Sequence, residues 1–265
     1  MIMRIVDLGE PIYGSGNLFN WGEDQILKVY GPEVPREFVV QLGKKEKSFY
    51  DAGLPVPRLG ELLEIEDSLG QIYERVEGKS LRDELFSLTE NDEPRVNELA
   101  TVFANVHFQI HSCNTVEVQM QHQREFFPSL LERIDSLSDG LKKALVNEIK
   151  EISNGNQICH GDFHPLNVLI SSKGPVVIDW NNSHSGNPLE DVARSKLILV
   201  GASRMYPSLK KIVDRFREVY LNRYIQLNKI GHDQIDRWWP IVSAIRLLDN
   251  VPELEEWLLE QIRIV

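Results

Sequence analysis

Three polar side chains near the middle of the chain stand at a spacing that could do chemistry. Asp162 lies in Ile158-Cys159-His160-Gly161-Asp162-Phe163-His164-Pro165-Leu166-Asn167, so Asn167 follows it by five residues. Asp179 ends the apolar run Val176-Val177-Ile178, seventeen residues after Asp162. A carboxylate can accept the proton of an acceptor hydroxyl, or orient that hydroxyl, as a phosphoryl group departs. An amide oxygen and a second carboxylate are the ligand types a hard divalent cation takes. Together these are the parts for phosphoryl transfer from a magnesium nucleotide. Any one of them could merely shape a turn or cap a strand. The whole array, with His160, Gly161 and Pro165 around it, argues for chemistry.

The elements that must position this array can be read outward from it. Asp162 follows an apolar run and a glycine, which places it in a loop at the end of a strand. Asp179 falls at the end of a second short strand, and the two are expected to form a hairpin whose open end presents all three groups. Upstream, residues 4–8, 11–20, 25–30, 58–65 and 70–76 read as strands, with turn formers between them and Asp67-Ser68 turning the last pair. Pro35 to Tyr50 reads as a helix with Phe38, Leu42 and Phe49 on one face. From Gly78 the period is helical, over Ser80–Leu88, Arg95–Ser112, Phe126–Leu137, Leu141–Ile152 and from Leu189 to the end. A strand-rich first third before a helical remainder predicts an α+β fold, a small sheet lobe over residues 1–77 and a larger helical lobe over 78–265.

Composition narrows the partners. The 265 residues carry a net charge of -11, which argues against a nucleic-acid partner. The charge suits a cationic substrate, although a solvated acidic surface accounts for it as well. No apolar run approaches a membrane span, and the N-terminus lacks the h-region of a signal peptide. The expectation is a cytoplasmic protein with no membrane partner, a monomer or homodimer. Two cysteines, Cys113 and Cys159, form no disulfide framework, and Cys159 reads as a packed thiol.

The segment His160-Gly161-Asp162-Phe163-His164-Pro165-Leu166-Asn167, followed by Ile178-Asp179-Trp180, resembles the aminoglycoside phosphotransferase and choline kinase family, which has a protein-kinase-like fold. The resemblance continues through Gly186-Asn187-Pro188-Leu189-Glu190-Asp191-Val192-Ala193-Arg194. It also reaches back to Gly53-Leu54-Pro55-Val56-Pro57 and Glu74-Arg75-Val76-Glu77-Gly78. It implies that Asp162 is the catalytic base, that Asn167 and Asp179 bind Mg2+, and that Asp191 braces the catalytic loop from a buried position. His160 would be a packed structural histidine. In the first lobe it implies that Lys28 contacts the phosphates and that Gly14, Ser15 and Gly16 cover them with backbone N–H groups. The hinge binding adenine would use the backbone of Glu74 and Val76. The helix glutamate expected to pair with Lys28 is replaced by Leu42, so Glu46, one turn later, is the best substitute and Glu37 the next. The implied activity uses ATP, or GTP, to phosphorylate a hydroxyl of an aminoglycoside-like, choline-like or sugar-like acceptor. A protein kinase and a non-catalytic nucleotide-binding module are the alternatives.

Other signals carry less. Gly78-Lys79-Ser80 imitates the end of a phosphate loop, but Tyr73 replaces its first glycine. His107 and His111 share a helix face as zinc ligands can, yet Ser112-Cys113-Asn114 supplies no acidic third ligand, and packing is favoured. Trp238, Trp239 and Trp257 sit among acidic residues and could line an acceptor pocket. The stripe Leu247, Leu248, Val251, Leu254, Trp257, Leu258 and Ile262 fits a helical core equally well.

Overall fold

A computed structural model describes residues 4–12, 16–113 and 120–262. The strands are β1 (Leu18–Asn20), β2 (Gln25–Tyr30), β3 (Leu59–Ile65), β4 (Ser68–Glu74), β5 (Gly78–Ser80), β6 (Gln157–Cys159), β7 (Val168–Ser171), β8 (Gly174–Val177) and β9 (His184–Gly186). The helices are α1 (Arg36–Asp51), α2 (Leu81–Phe86), α3 (Glu93–His111), α4 (Gln123–Glu132), α5 (Asp139–Glu151), α6 (Pro188–Met205), α7 (Lys210–Asn228), α8 (His232–Asp236), α9 (Trp239–Arg246) and α10 (Pro252–Gln261). The chain divides into two compact units. One holds the chain up to Gly78 together with Leu169–Asn181, and the other holds most of the remainder.

In the first unit β1, β2, β4 and β3 form an antiparallel sheet in that order. Alternation along β2 sends Leu27 and Val29 into a core with Phe19, Ile65 and Ile72, and leaves Lys28 on the opposite face. Pro35 stands at the N-terminus of α1, where a missing N–H costs nothing. Gly53 closes α1 with φ +79, and the N–H of Leu54 bonds the carbonyl of Phe49. Leu169–Asn181 joins this unit through specific contacts. The N–H of Val177 donates to the Pro55 carbonyl at 2.6 Å, and the rings of Trp180 and Phe49 lie 4.8 Å apart.

The second unit is built on α3, α6 and α7. Asn97 bonds Arg215, His107 bonds Tyr220 and His111 bonds Tyr224, so α3 and α7 run in the same direction. The Gly-Asn-Pro sequence before α6 is a helix start. Asn187 Oδ1 accepts the N–H of Leu189, Pro188 takes the first position, and Glu190 and Asp191 occupy the first turn. Ser80 likewise caps α2 by accepting the N–H of Asp83, which accounts for Gly78-Lys79-Ser80 without a phosphate loop. Trp238 and Trp257 are buried, Trp239 half-buried, and Leu254, Leu258 and Ile262 belong to the core.

Several expectations differ from the structure. Residues 5–8 form a 3-10 turn, not a strand, because Arg4 pairs with Asp7 across it and Val6 is 75% exposed with no core to meet. The strand before Asp162 pairs with β9, not with the strand before Asp179. The intervening residues fold on themselves as β7 and β8, neighbours in a small sheet whose turn is held by Ser171 Oγ donating to the Gly174 carbonyl. Among the described residues, the strand expected over 11–20 is confined to Leu18–Asn20, and the helix expected over Phe126–Leu137 runs instead from Gln123 to Glu132.

Candidate active site

The loop after β6 is shaped by one helix. Asp191, fully buried on the first turn of α6, accepts the backbone N–H of His160 at 2.6 Å and that of Gly161 at 3.0 Å. Gly161 adopts φ +77, and a Cβ there would collide with the carbonyl oxygen of Asn182. Only glycine fits this bend. One turn further along α6, Ser195 Oγ donates to the carbonyl of Phe163 at 2.6 Å. His160 is fully buried, and its Nδ1 accepts the N–H of Asp162.

So held, Asp162 keeps 22% of its side chain exposed. Its Oδ1 accepts from Arg194 Nη2 at 3.2 Å, and its Oδ2 lies 3.3 Å from His164 Nε2. Burial alone would raise this carboxyl. The contacts with His164 and Arg194 outweigh burial and hold it below the usual carboxylate range. Asn167 Nδ2 donates to the Asp162 carbonyl at 3.0 Å, which leaves Oδ1 as the atom able to meet a cation.

Asp191 is itself secured from behind. His107 Nε2 and His111 Nε2 lie 3.2 and 3.3 Å from its Oδ2, and Tyr220 and Tyr224 bond the two Nδ1 atoms at 2.8 and 2.6 Å. Burial drives the His107 pKa down to about 3. A neutral ring then accepts from Tyr220 and donates to Asp191, the tautomer the network requires. Burial opposes ionisation of Asp191 as well, but the hydrogen bonds from His107 and His111 keep its carboxyl well below the ordinary range. His107, His111 and Asp191 come close enough to share a metal ion, yet their ligand atoms are already satisfied by one another, the loop and the tyrosines. The acidic partner of the two histidines stands some eighty residues beyond the segment where a sequence reading seeks it.

In the first unit Lys28 Nζ pairs with Asp179 Oδ1 at 3.1 Å. Burial lowers the Lys28 ammonium, but Asp179, with Tyr30 and Glu46, more than offsets this and raises its pKa. Asp179 holds φ +66, a strained conformation for a non-glycine residue. Its Oδ1 also accepts from Asn181 Nδ2 at 2.6 Å, and its side chain is 44% exposed. Asn181 Oδ1 is buried and has no hydrogen-bond partner among the described residues. The carboxylate of Asp179 and the amide oxygen of Asn167 are hard donors that fit magnesium in preference to softer metals.

Glu46 takes a different partner from the one expected. It accepts from Tyr73 Oη at 2.8 Å, while Lys28 pairs with Asp179. Burial raises the Glu46 carboxyl to about 7, against the pull of Tyr73 and Lys28. Leu42, one turn earlier, is buried in the core, and Glu37 is exposed. Glu74 ends β4 with its N–H donated to the Arg58 carbonyl, and Val76 follows in the connector between β4 and β5. Gly16 has φ +73, whereas Gly14 and Ser15 lie outside the described residues.

Sequence reasoning gave no role to Arg194, Asp249, Tyr220 or Tyr224, although Arg194 closes the segment Gly186–Arg194 that carries the family resemblance. For the tyrosines the local trace was the four-residue spacing shared by His107/His111 and Tyr220/Tyr224.

The profile of the phosphotransferase enzyme family matches residues 20–238. No curated protein sequence matches the chain. Among solved structures, amicoumacin kinase in complex with AMP-PNP and Ca2+ superposes with a TM-score of 0.65 at 13% identity, over 99% of this chain and 89% of that one. An aminoglycoside-3'-phosphotransferase of type VIII gives 0.62 at 16%, over 89% and 92%. An aminoglycoside phosphotransferase from Streptomyces rimosus gives 0.60 at 15%, over 89% and 92%. At such identities the likeness shows the fold, which is protein-kinase-like, with a small antiparallel sheet and a mainly helical remainder. The profile match spans most of the sequence, and the chain belongs to the phosphotransferase enzyme family.

Proposed function

We propose that the protein is an ATP-dependent kinase that moves the γ-phosphate to a hydroxyl of a small molecule. The observation that carries this reading is the loop around Asp162. Asp191 and Ser195 fix its backbone, a partly exposed carboxylate is left at its tip, and Asn167 is locked beside it. Asp162 orients the acceptor hydroxyl and takes its proton late, as fits a carboxylate of low basicity and a loose transition state. Lys28 neutralises phosphate charge. Asn167 and Asp179 are the ligands for Mg2+, which when bound supplies charge stabilisation at the phosphates. Gly14, Ser15 and Gly16 cover the phosphates, and the backbone of Glu74 and Val76 holds the purine. Residues 1–77 would then serve the nucleotide, and 78–265 the catalytic loop and the acceptor. Solved relatives by fold include complexes with ADP and hygromycin B and with ADP and streptomycin, which supports a hydroxylated small molecule as acceptor.

A second reading, a nucleotide-binding module without turnover, is favoured by one observation. Lys28 is engaged by Asp179 while Glu46 is engaged by Tyr73. Magnesium-dependent ATP consumption across a panel of aminoglycosides, choline, sugars and hydroxylated amino-acid derivatives separates the two. Turnover with at least one acceptor supports the kinase. Nucleotide binding without turnover across the panel supports the module.

A further inference from the structure

Arg194 is buried, and the chemistry above makes no use of it. It shares one face of α6 with Asp191 and Ser195, at positions i, i+3 and i+4. All three grip the same short loop. Asp191 takes the N–H groups of His160 and Gly161, Ser195 takes the carbonyl of Phe163, and Arg194 takes the side chain of Asp162. The Arg194 side chain is only 6% exposed. Its Nη2 is divided between Asp162 Oδ1 at 3.2 Å and Asp249 Oδ2 at 2.9 Å. Arg246 bonds the same oxygen of Asp249. Arg194 Nε and Nη1 are buried with no hydrogen-bond partner among the described residues. An apolar side chain would fill this volume at lower cost, since buried charges and unmet donors are expensive. A costly guanidinium aimed at the one exposed carboxylate of the loop calls for a functional reason.

The geometry points to Arg194 as a positioning residue: anchored by Asp249, it commits Oδ1 of Asp162 and so turns Oδ2, whose other neighbour is His164 Nε2 at 3.3 Å, toward the acceptor hydroxyl. This rests on Asp162 being the carboxylate that orients the acceptor. Asp249 follows α9, so the guanidinium of Arg194 ties the C-terminal part of the chain to the catalytic loop.

The test is a double-mutant cycle on MgATP turnover, with kanamycin, choline, glucose or water as the acceptor. R194Q is expected to lower kcat at least about tenfold while KM for MgATP stays within about twofold, with R194K recovering part of the loss. D249N should show the same pattern at smaller amplitude. In the D162A background R194Q should cost less than about twofold further, because the residue through which it acts is gone. An equal loss from R194Q with and without Asp162, or R194Q with full kcat, overturns the assignment. Full turnover by D162A contradicts instead the reading of Asp162, and a wild type with no turnover on any of these acceptors overturns both. Melting temperatures establish that each variant is folded. If R194Q does not fold, R194K and D249N in the two backgrounds make the same comparison.

Discussion

At the scale of single residues, Glu46 makes the clearest prediction. Its carboxyl is raised from the ordinary 4.5 to about 7, first by burial, with the Tyr73 hydrogen bond and the charges of Lys28 and Lys45 acting against that rise and Asp179 adding to it. Between these two values the unfolded chain has released the proton and the folded chain still holds it. Stability from this group is therefore complete below about pH 4.5 and is lost as pH rises toward about 7. The full change is at most roughly 3 kcal/mol. Gln keeps the acceptor for Tyr73 but does not titrate. Denaturant unfolding of E46Q and wild type across this window should show E46Q gaining in relative stability as pH rises. A constant difference would contradict the raised carboxyl.

The sequence disclosed these site residues unequally. Asp162, Asn167 and Asp179 stand within eighteen consecutive residues, so spacing alone suggested them. Arg194 meets Asp162 and Asp249 across 32 and 55 residues of chain, and no local spacing marks the three as partners. For the same reason the two histidines of α3 looked like packing. Their carboxylate is brought to them by α6 and has no neighbour in sequence that marks it.

At the scale of elements, the loop between β6 and β7 depends on one glycine. Gly161 lies at φ +77 against the Asn182 carbonyl. Ala at this position must adopt a left-handed backbone and displace that carbonyl, which costs about 1–3 kcal/mol. The strain falls on the two N–H groups that Asp191 holds. G161A should therefore lose turnover by more than about tenfold while melting only a few degrees lower. Unchanged turnover would show that the Asp191 brace is not needed. Helices with clear periods and start signals, such as α1 and α6, were legible from sequence because their caps are local. The partner of β6 was not. Short strands carry little register information, and whether Cys159 meets His184 or the strand before Asp179 is settled by tertiary packing.

At the scale of the whole molecule, the family match over residues 20–238 and the fold likeness agree with the order of motifs along the sequence. No helix among the described residues is long and apolar enough to cross a membrane. A ligand that binds only the folded chain stabilises it by about 2.7 kcal/mol at a hundredfold excess over Kd. For a chain of this size that is a rise of roughly 5–10 °C in melting temperature. MgATP should produce such a rise, EDTA should remove most of it, and D179N should reduce the magnesium-dependent part. An equal rise with and without the metal would exclude Asp179 as a ligand.

The central claim is that Asp162 orients an acceptor hydroxyl for phosphoryl transfer. Its most direct test compares wild type and D162A for MgATP turnover with the best acceptor of the panel and for MgATP affinity by titration. The expected result is a loss of turnover of about a hundredfold or more, with MgATP affinity changed less than about threefold. Full turnover by D162A would contradict the account.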